Sequence, residues 1–173
     1  TTAGVKALTT DQVAALTTAQ ISKLLDTQVK EMSTSQIAAI ETADIAKMTN
    51  DQVAAITTAG VVALGTAQVQ ALTGSQLANL TTAQVAAIET ADIAALTTAQ
   101  ISKLTMDQMP ALTTAQVAAI ETADLVLLTN SQIESISTAG IAALSTDQVK
   151  VITTSQIKAL TAAQITALTT DVS

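Results

Sequence analysis

Three pairs of carboxylates are the residues of this chain whose type and spacing are most suggestive of chemistry. They lie in three Glu-Thr-Ala-Asp segments, and the pairs are Glu41 and Asp44, Glu89 and Asp92, and Glu121 and Asp124. Carboxylate oxygens are preferred ligands of calcium, so each pair is a candidate calcium site that needs further ligands from neighbouring turns. A second interpretation stays open, because acids at the start of a helix are stabilised by the helix dipole.

The residue inventory argues against an enzyme. The chain has no His, no Cys and no aromatic residue, which removes the usual nucleophiles, bases and transition-metal ligands. Paired carboxylates also serve in glycosidases, but these pairs recur along the chain without an aromatic platform for a sugar. We therefore predict no catalytic residues and no cofactor other than calcium.

Charge and hydropathy argue against two kinds of partner, nucleic acid and the membrane interior. The net charge is −7 with only seven basic residues, whereas binding to nucleic acid requires clustered positive charge. Thr and Gln recur so often that no run of about 18 apolar residues exists, so no transmembrane segment is predicted. The sequence thus predicts neither a nucleic-acid partner nor a membrane span.

The pairs belong to an eight-residue repeat that runs through the chain without a slip. The consensus is Thr-Thr-Ala-Gln-(Val/Ile)-Ala-Ala-(Leu/Ile), and 21 octads cover residues 1–168, followed by a partial repeat at 169–173. We number the octad positions 1 to 8 from Thr1. A fixed short period predicts a single repeat array in which each unit packs on its neighbours. The chain begins in phase without an initiator Met, so we expect a segment of a longer protein.

Each octad carries the signals of a helix start. Thr at position 1 and Gln at position 4 form a capping box, and the aliphatic residues at position 8 of the preceding octad and at position 5 form a hydrophobic staple. One continuous helix is disfavoured because its apolar stripe would drift by about 80° per octad. We predict an all-α, open-ended solenoid of very short helices, one per octad, with a β-solenoid as the alternative.

The charged residues support the helical interpretation independently. All seven Lys lie at positions 6 or 7, and twelve of the 14 acids lie at positions 1 to 4, as the helix dipole favours. Pro110 at position 6 predicts a very short helix or a bend. Gly4, Gly60 and Gly140 replace Gln at position 4, which is compatible with close packing by another chain or with neutral drift.

Two strings also resemble a known group of proteins. Ala-Leu-Thr-Thr-Ala-Gln-Val and Ile-Glu-Thr-Ala-Asp-Ile are similar to repeat regions of very large secreted bacterial surface proteins, which are often labelled adhesin-like, haemagglutinin-like or haem utilization proteins. The resemblance implies export and an extracellular or cell-surface role. No His, Tyr or Cys supports haem ligation here.

These observations predict a structural repeat protein that forms an extracellular filament, stalk or surface-layer element. We expect self-association through the solenoid ends or lateral faces, because repeat arrays without capping units expose their stacking surfaces. The alternative is a binding module, either an adhesin stalk or an ice- or calcium-binding array, which would present a regular face of Thr or carboxylate groups.

Overall fold

The chain folds as a series of very short helices. The computed structural model describes residues 1–170, with side chains to residue 168, and the described residues contain no strand. The all-α prediction is therefore confirmed, and the β-solenoid alternative is wrong. None of the described helices is long and apolar enough to cross a membrane.

The residues divide into two compact units, Thr1–Ile88 and Glu89–Ser173, with the octad phase continuing through both. The helices of the first unit are α1 (Thr2–Lys6), α2 (Thr10–Ala14), α3 (Thr18–Ile21), α4 (Asp26–Val29), α5 (Thr34–Ala38), α6 (Thr42–Ile45), α7 (Asn50–Ala54), α8 (Thr58–Val62), α9 (Thr66–Ala71), α10 (Gly74–Asn79) and α11 (Thr82–Ala87). Those of the second unit are α12 (Thr90–Ala95), α13 (Thr98–Ile101), a 3₁₀ helix (Met109–Ala111), α14 (Thr114–Ala119), α15 (Thr122–Leu125), α16 (Asn130–Ser135), α17 (Thr138–Ala142), α18 (Thr146–Val151), α19 (Thr154–Ala159) and α20 (Ala162–Thr170).

Local hydrogen bonds set the helix bounds. At α11, the Thr81 hydroxyl accepts from the Gln84 N–H at 3.2 Å, and the Thr81 N–H donates to Gln84 Oε1 at 2.7 Å. This is the predicted capping box. At the other end, Ile88 takes an extended backbone with ψ 132°, which ends the helix and directs the chain into the next cap. Leu80 and Val85, the predicted staple, are both buried.

In two octads the helix changes type or runs past the end of its octad. In residues 105–112, Pro110 lacks the N–H that an α-helical turn would use, and a 3₁₀ helix replaces the α-helix. The core survives, because Met109 and Leu112 remain buried. At α20 the helix continues to Thr170 and so does not stop before Thr169, contrary to the predicted restart.

The helices stack at an interval of three octads, as an α-solenoid requires. In the first unit α1 contacts α4, α2 contacts α5, and the same interval continues to the contact of α8 with α11. In the second unit α17 contacts α20 at the same interval. The contact of α12 with α14 also spans three octads, because the 3₁₀ helix takes one place between them. The aliphatic residues at positions 5 and 8 lie between the stacked turns and form the core.

Candidate functional site

The glutamine at position 4 joins the cap of its own helix to the turn before it. Gln76 is 1% exposed. Its Oε1 accepts from the Thr73 N–H at 2.7 Å, which completes the capping box. Its Nε2 donates to the carbonyl oxygens of Ile45 and Met48, both at 2.8 Å. One amide therefore bonds three backbone groups, of which the Ile45 carbonyl oxygen also accepts from the Met48 N–H.

The same arrangement recurs within each unit, and we call it the glutamine ladder. Its Nε2 groups donate to carbonyl oxygens 28 residues earlier, as in Gln36 to Leu8, Gln52 to Leu24, Gln68 to Ile40, Gln84 to Ile56, Gln132 to Leu104, Gln148 to Ile120, Gln156 to Leu128 and Gln164 to Ile136. A separation of 28 residues is three and a half octads, so each glutamine bonds the turn before its own. Because a buried amide without partners is costly, the ladder both stabilises the stack and fixes its register.

The sequence pattern predicts only the local half of this ladder. Oε1 acts on the helix to which the glutamine belongs, and Thr-x-x-Gln is its signature. Nε2 acts across turns, and this contact was missed. The available signal was the residue type, since glutamine fills position 4 in 15 of 21 octads and Glu in none. Glu completes a capping box equally well but has no N–H₂ to donate.

The candidate calcium residues occupy two different environments. Asp44, Asp92 and Asp124 stand at position 4 and are buried, while their partners Glu41, Glu89 and Glu121 stand at position 1 and are exposed.

Two of the aspartates have a partner from an earlier turn. The Thr18 hydroxyl donates to Asp44 Oδ1 at 2.6 Å, and the Thr98 hydroxyl donates to Asp124 Oδ1 at 2.5 Å, in each case across 26 residues. These aspartates thus use a different bond to join turns where glutamine is missing. Across the described residues, no group of three or more His, Cys, Asp or Glu residues is placed to hold a metal ion. Calcium binding at these pairs stays a prediction.

Gly60 and Gly140 accommodate isoleucine side chains of their own chain. A Cβ added at Gly60 would lie 2.7 Å from Ile56 Cγ2, and one at Gly140 would lie 2.8 Å from Ile136 Cγ2. The space is therefore already filled from within the chain, which leaves no room there for another chain. At Gly4 the added Cβ would meet only Thr1 Oγ1, at 3.3 Å.

The residue at position 4 covaries with the residue four places before it. Every position-4 glutamine except Gln156 is preceded, four residues earlier, by Leu or Met, whereas every Asp or Gly at position 4 except Gly4, which has no preceding octad, is preceded by Ile. At Gly60 and Gly140 the β-branched Ile places its Cγ2 where a position-4 Cβ would lie, which explains the Gly of these pairs. Position 8 of one octad and position 4 of the next therefore vary together.

Fold and ladder together define the class: an α-solenoid repeat protein whose turns are joined by side-chain amides. A family model, the ALTTAQ repeat, matches residues 1–25, 45–82, 85–119 and 117–154. These segments make up more than half of the chain, so the chain belongs to the ALTTAQ repeat family. No match was found to a curated protein or to a solved structure.

Proposed function

We propose that this chain is a structural repeat segment of an extracellular filament, stalk or surface layer. The observation that carries the proposal is the glutamine ladder. The position-4 glutamine is the most regular buried polar side chain of the repeat, and its hydrogen bonds join one turn to the next. Throughout the described residues, every buried side-chain nitrogen or oxygen has a hydrogen-bond partner. No such group is left over to recognise a substrate.

The composition supports the same role. A chain without His, Cys or aromatic residues lacks the groups on which most active sites and sugar- or base-binding sites depend. The exposed positions are mainly Thr and Ala at positions 1 to 3. Such a surface suits a spacer whose function depends on length and regularity.

The extracellular assignment rests on the resemblance of the repeat strings to those of secreted bacterial surface proteins. Antibodies against the chain, applied to intact cells that make it, test this assignment. We expect labelling of intact cells at the level of permeabilised cells. Labelling that requires permeabilisation would refute the extracellular role, and a cytoplasmic marker serves as the control for intact membranes.

The binding-module alternative has its own measurements. A calcium-binding array predicts a higher thermal midpoint with calcium than with a chelator, and an ice-binding array predicts shaped or arrested ice growth. The structural role predicts neither response. A midpoint that rises with calcium and falls back in the Asp44→Asn variant would favour the calcium array over the purely structural role.

A further inference from the structure

One tripeptide of the chain has the sequence of an acceptor for an N-linked sugar. Asn79, Leu80 and Thr81 form the motif Asn-x-Thr, in which the middle residue is not Pro. The two other asparagines, Asn50 and Asn130, are each followed two residues later by Gln and therefore lie outside such a motif. Asn79 is thus the only asparagine of the sequence in this context.

The octad explains how the motif arises. Position 8 is a core residue and position 1 is Thr or Ser in most octads. An Asn at position 7 is therefore followed by an apolar residue and then by the residue that caps the next helix. Position 7 is Asn only in the octad of residues 73–80. The motif consequently spans the junction between α10 and α11.

This junction presents both polar residues of the motif to solvent. α10 ends at Asn79, and Leu80 and Thr81 take an extended backbone with ψ values of 143° and 158°. Leu80 is buried in the core, whereas Asn79 and Thr81 are exposed. An enzyme can therefore reach the amide and the hydroxyl of the motif without opening the core.

The polar atoms of the motif keep hydrogens that the fold does not use. Asn79 Nδ2 donates to the carbonyl oxygen of Ser75 at 2.8 Å, on the surface. A carboxamide has two N–H groups, and among residues 1–168 the second has no acceptor. The Thr81 hydroxyl accepts from the Gln84 N–H at 3.2 Å, and over the same range its own hydrogen has no acceptor.

The turn before Asn79 leaves space above its side chain. The ion pair of Lys6 with Glu31 shows that position 6 of one octad lies beside position 7 three octads later. By the same relation the neighbour of Asn79 is Ala54 of α7, and α7 contacts α10. Since Ala54 has only a methyl group, it does not cover the Asn79 amide, and a bulky group bonded to Nδ2 extends into solvent.

We propose that Asn79 is a glycosylation site, at which a transferase that recognises Asn-x-Thr attaches an N-linked sugar. The co-reactant is a sugar whose C1 carries a phosphate leaving group. The bond from Nδ2 to C1 forms while the bond from C1 to the phosphate oxygen breaks. The phosphate leaves with the bonding electron pair, and a base of the transferase takes one Nδ2 proton. The inference goes beyond the structural role but rests on the extracellular assignment, because this modification is typical of the surface of secreted proteins.

Mass spectrometry of the chain purified from the cells that make it tests the proposal. Cleavage before Asp51 and Asp92 releases residues 51–91, in which Asn79 is the only asparagine. We expect this peptide to carry the mass of at least one sugar, and fragmentation to place the sugar on Asn79. Asn130 is the internal control, because it is exposed but lacks the motif, and it should carry none.

Variants made in the same cells separate recognition of the motif from the fold. Thr81→Ser keeps both the hydroxyl and the cap, so the modification should persist. Thr81→Asp keeps a side-chain oxygen that caps α11 but removes the hydroxyl, so circular dichroism should show a folded chain without the sugar. Asn79→Gln keeps an exposed carboxamide outside the motif and should also lose the sugar.

Three results would overturn the proposal: an unmodified Asn79 in the chain from these cells, modification that persists in Thr81→Asp, and equal modification of Asn79 and Asn130. The extracellular role is decided separately by the labelling of intact cells. An unmodified chain that is labelled on intact cells would refute the glycosylation site alone. A modified chain that is labelled only after permeabilisation would refute the extracellular role alone.

Discussion

At the scale of the residue, the position-4 glutamine makes one contact that the local sequence pattern predicts and others that it does not predict. Its Oε1 contact spans three residues, so Thr-x-x-Gln predicts it directly. Its Nε2 contacts span 28 and 31 residues, and a repeating sequence offers an equivalent carbonyl in every octad. Which carbonyl is reached depends on how many octads complete a turn, and the repeat pattern does not specify that number.

Replacing a ladder glutamine by glutamate separates the two contacts. Gln76→Glu keeps an acceptor for the Thr73 N–H but leaves the carbonyl oxygens of Ile45 and Met48 facing a buried carboxylate. We expect the free energy of unfolding to fall by at least about 1–3 kcal/mol, measured by urea denaturation. Gln12→Glu is the control and should change it by less than about 0.5 kcal/mol, because the Gln12 amide is exposed. Equal losses in both variants would mean that the cross-turn bonds contribute nothing.

Glu31 is an acid outside octad positions 1 to 4, and its ion pair with Lys6 explains its position. It lies at position 7, where the helix dipole disfavours an acid, but it forms an ion pair with Lys6, three octads earlier. The hydrogen bond from Lys6, and then its charge, hold the pKa of Glu31 below its ordinary value. A carboxyl with a lowered folded-state pKa stabilises the fold above its unfolded pKa, and this contribution is lost as pH falls through the folded pKa.

We therefore expect Lys6→Met to raise the pKa of Glu31 towards its ordinary value, as followed by NMR titration of the carboxyl. The variant should also lose part of the stability that the chain shows above about pH 4.5. Lys23→Met is the control, since Lys23 forms no ion pair within the described residues. A Glu31 pKa that is the same with and without Lys6 would contradict the assignment.

At the scale of the element, helix type and phase were predictable because every determinant lies within about nine residues. Cap, box and staple specify where each helix begins, and Pro110 predicted the very short helix of its octad. The extension of α20 to Thr170 was not predicted. The pairing of Ile with the following Gly was not predicted either, because its cause is the contact between Cγ2 and position 4, which only the folded chain shows.

The pairing predicts a favourable coupling between Ile56 and Gly60. Gly60→Gln alone should destabilise, because its Cβ would lie 2.7 Å from Ile56 Cγ2, and overpacking costs about 1–3 kcal/mol. Ile56→Leu alone should also destabilise by leaving space beside Gly60. The double variant restores the Leu and Gln pair of the other octads, so we expect a favourable coupling energy of about 1–2 kcal/mol in a double-mutant cycle.

Gly4→Ala provides the matched control at position 4. Its Cβ would meet only the Thr1 hydroxyl at 3.3 Å, so the better helix propensity of Ala should dominate and stabilise by up to about 1 kcal/mol. If the Ile56 and Gly60 substitutions were simply additive, the covariation along the chain would need a cause other than this contact.

At the scale of the whole molecule, the eight-residue periodicity predicted the solenoid class. It did not predict the number of octads in one turn. The eight-residue period states that neighbours are equivalent. The interval of three octads between stacked helices and the 28-residue ladder then emerge from packing. Since every octad presents the same carbonyls and most octads present the same amide, the stack should accept a change of length in whole octads and reject any other change.

Deleting one octad tests this rule. Removal of residues 65–72 from the first unit brings Gln76 into register with the carbonyl oxygen of Ile40 in place of that of Met48. We expect the mean residue ellipticity to stay within about 10% of that of the parent chain, and unfolding to remain cooperative. The thermal midpoint should fall by roughly a few degrees, because one nearest-neighbour interaction between repeats is lost. Removal of residues 65–68 is the control. It shifts all later octads by half a period and sets position 8 against the carbonyls that position 4 should meet, so unfolding should lose cooperativity and ellipticity should fall markedly. Equal tolerance of the two deletions would show that the glutamine ladder does not fix the register between turns.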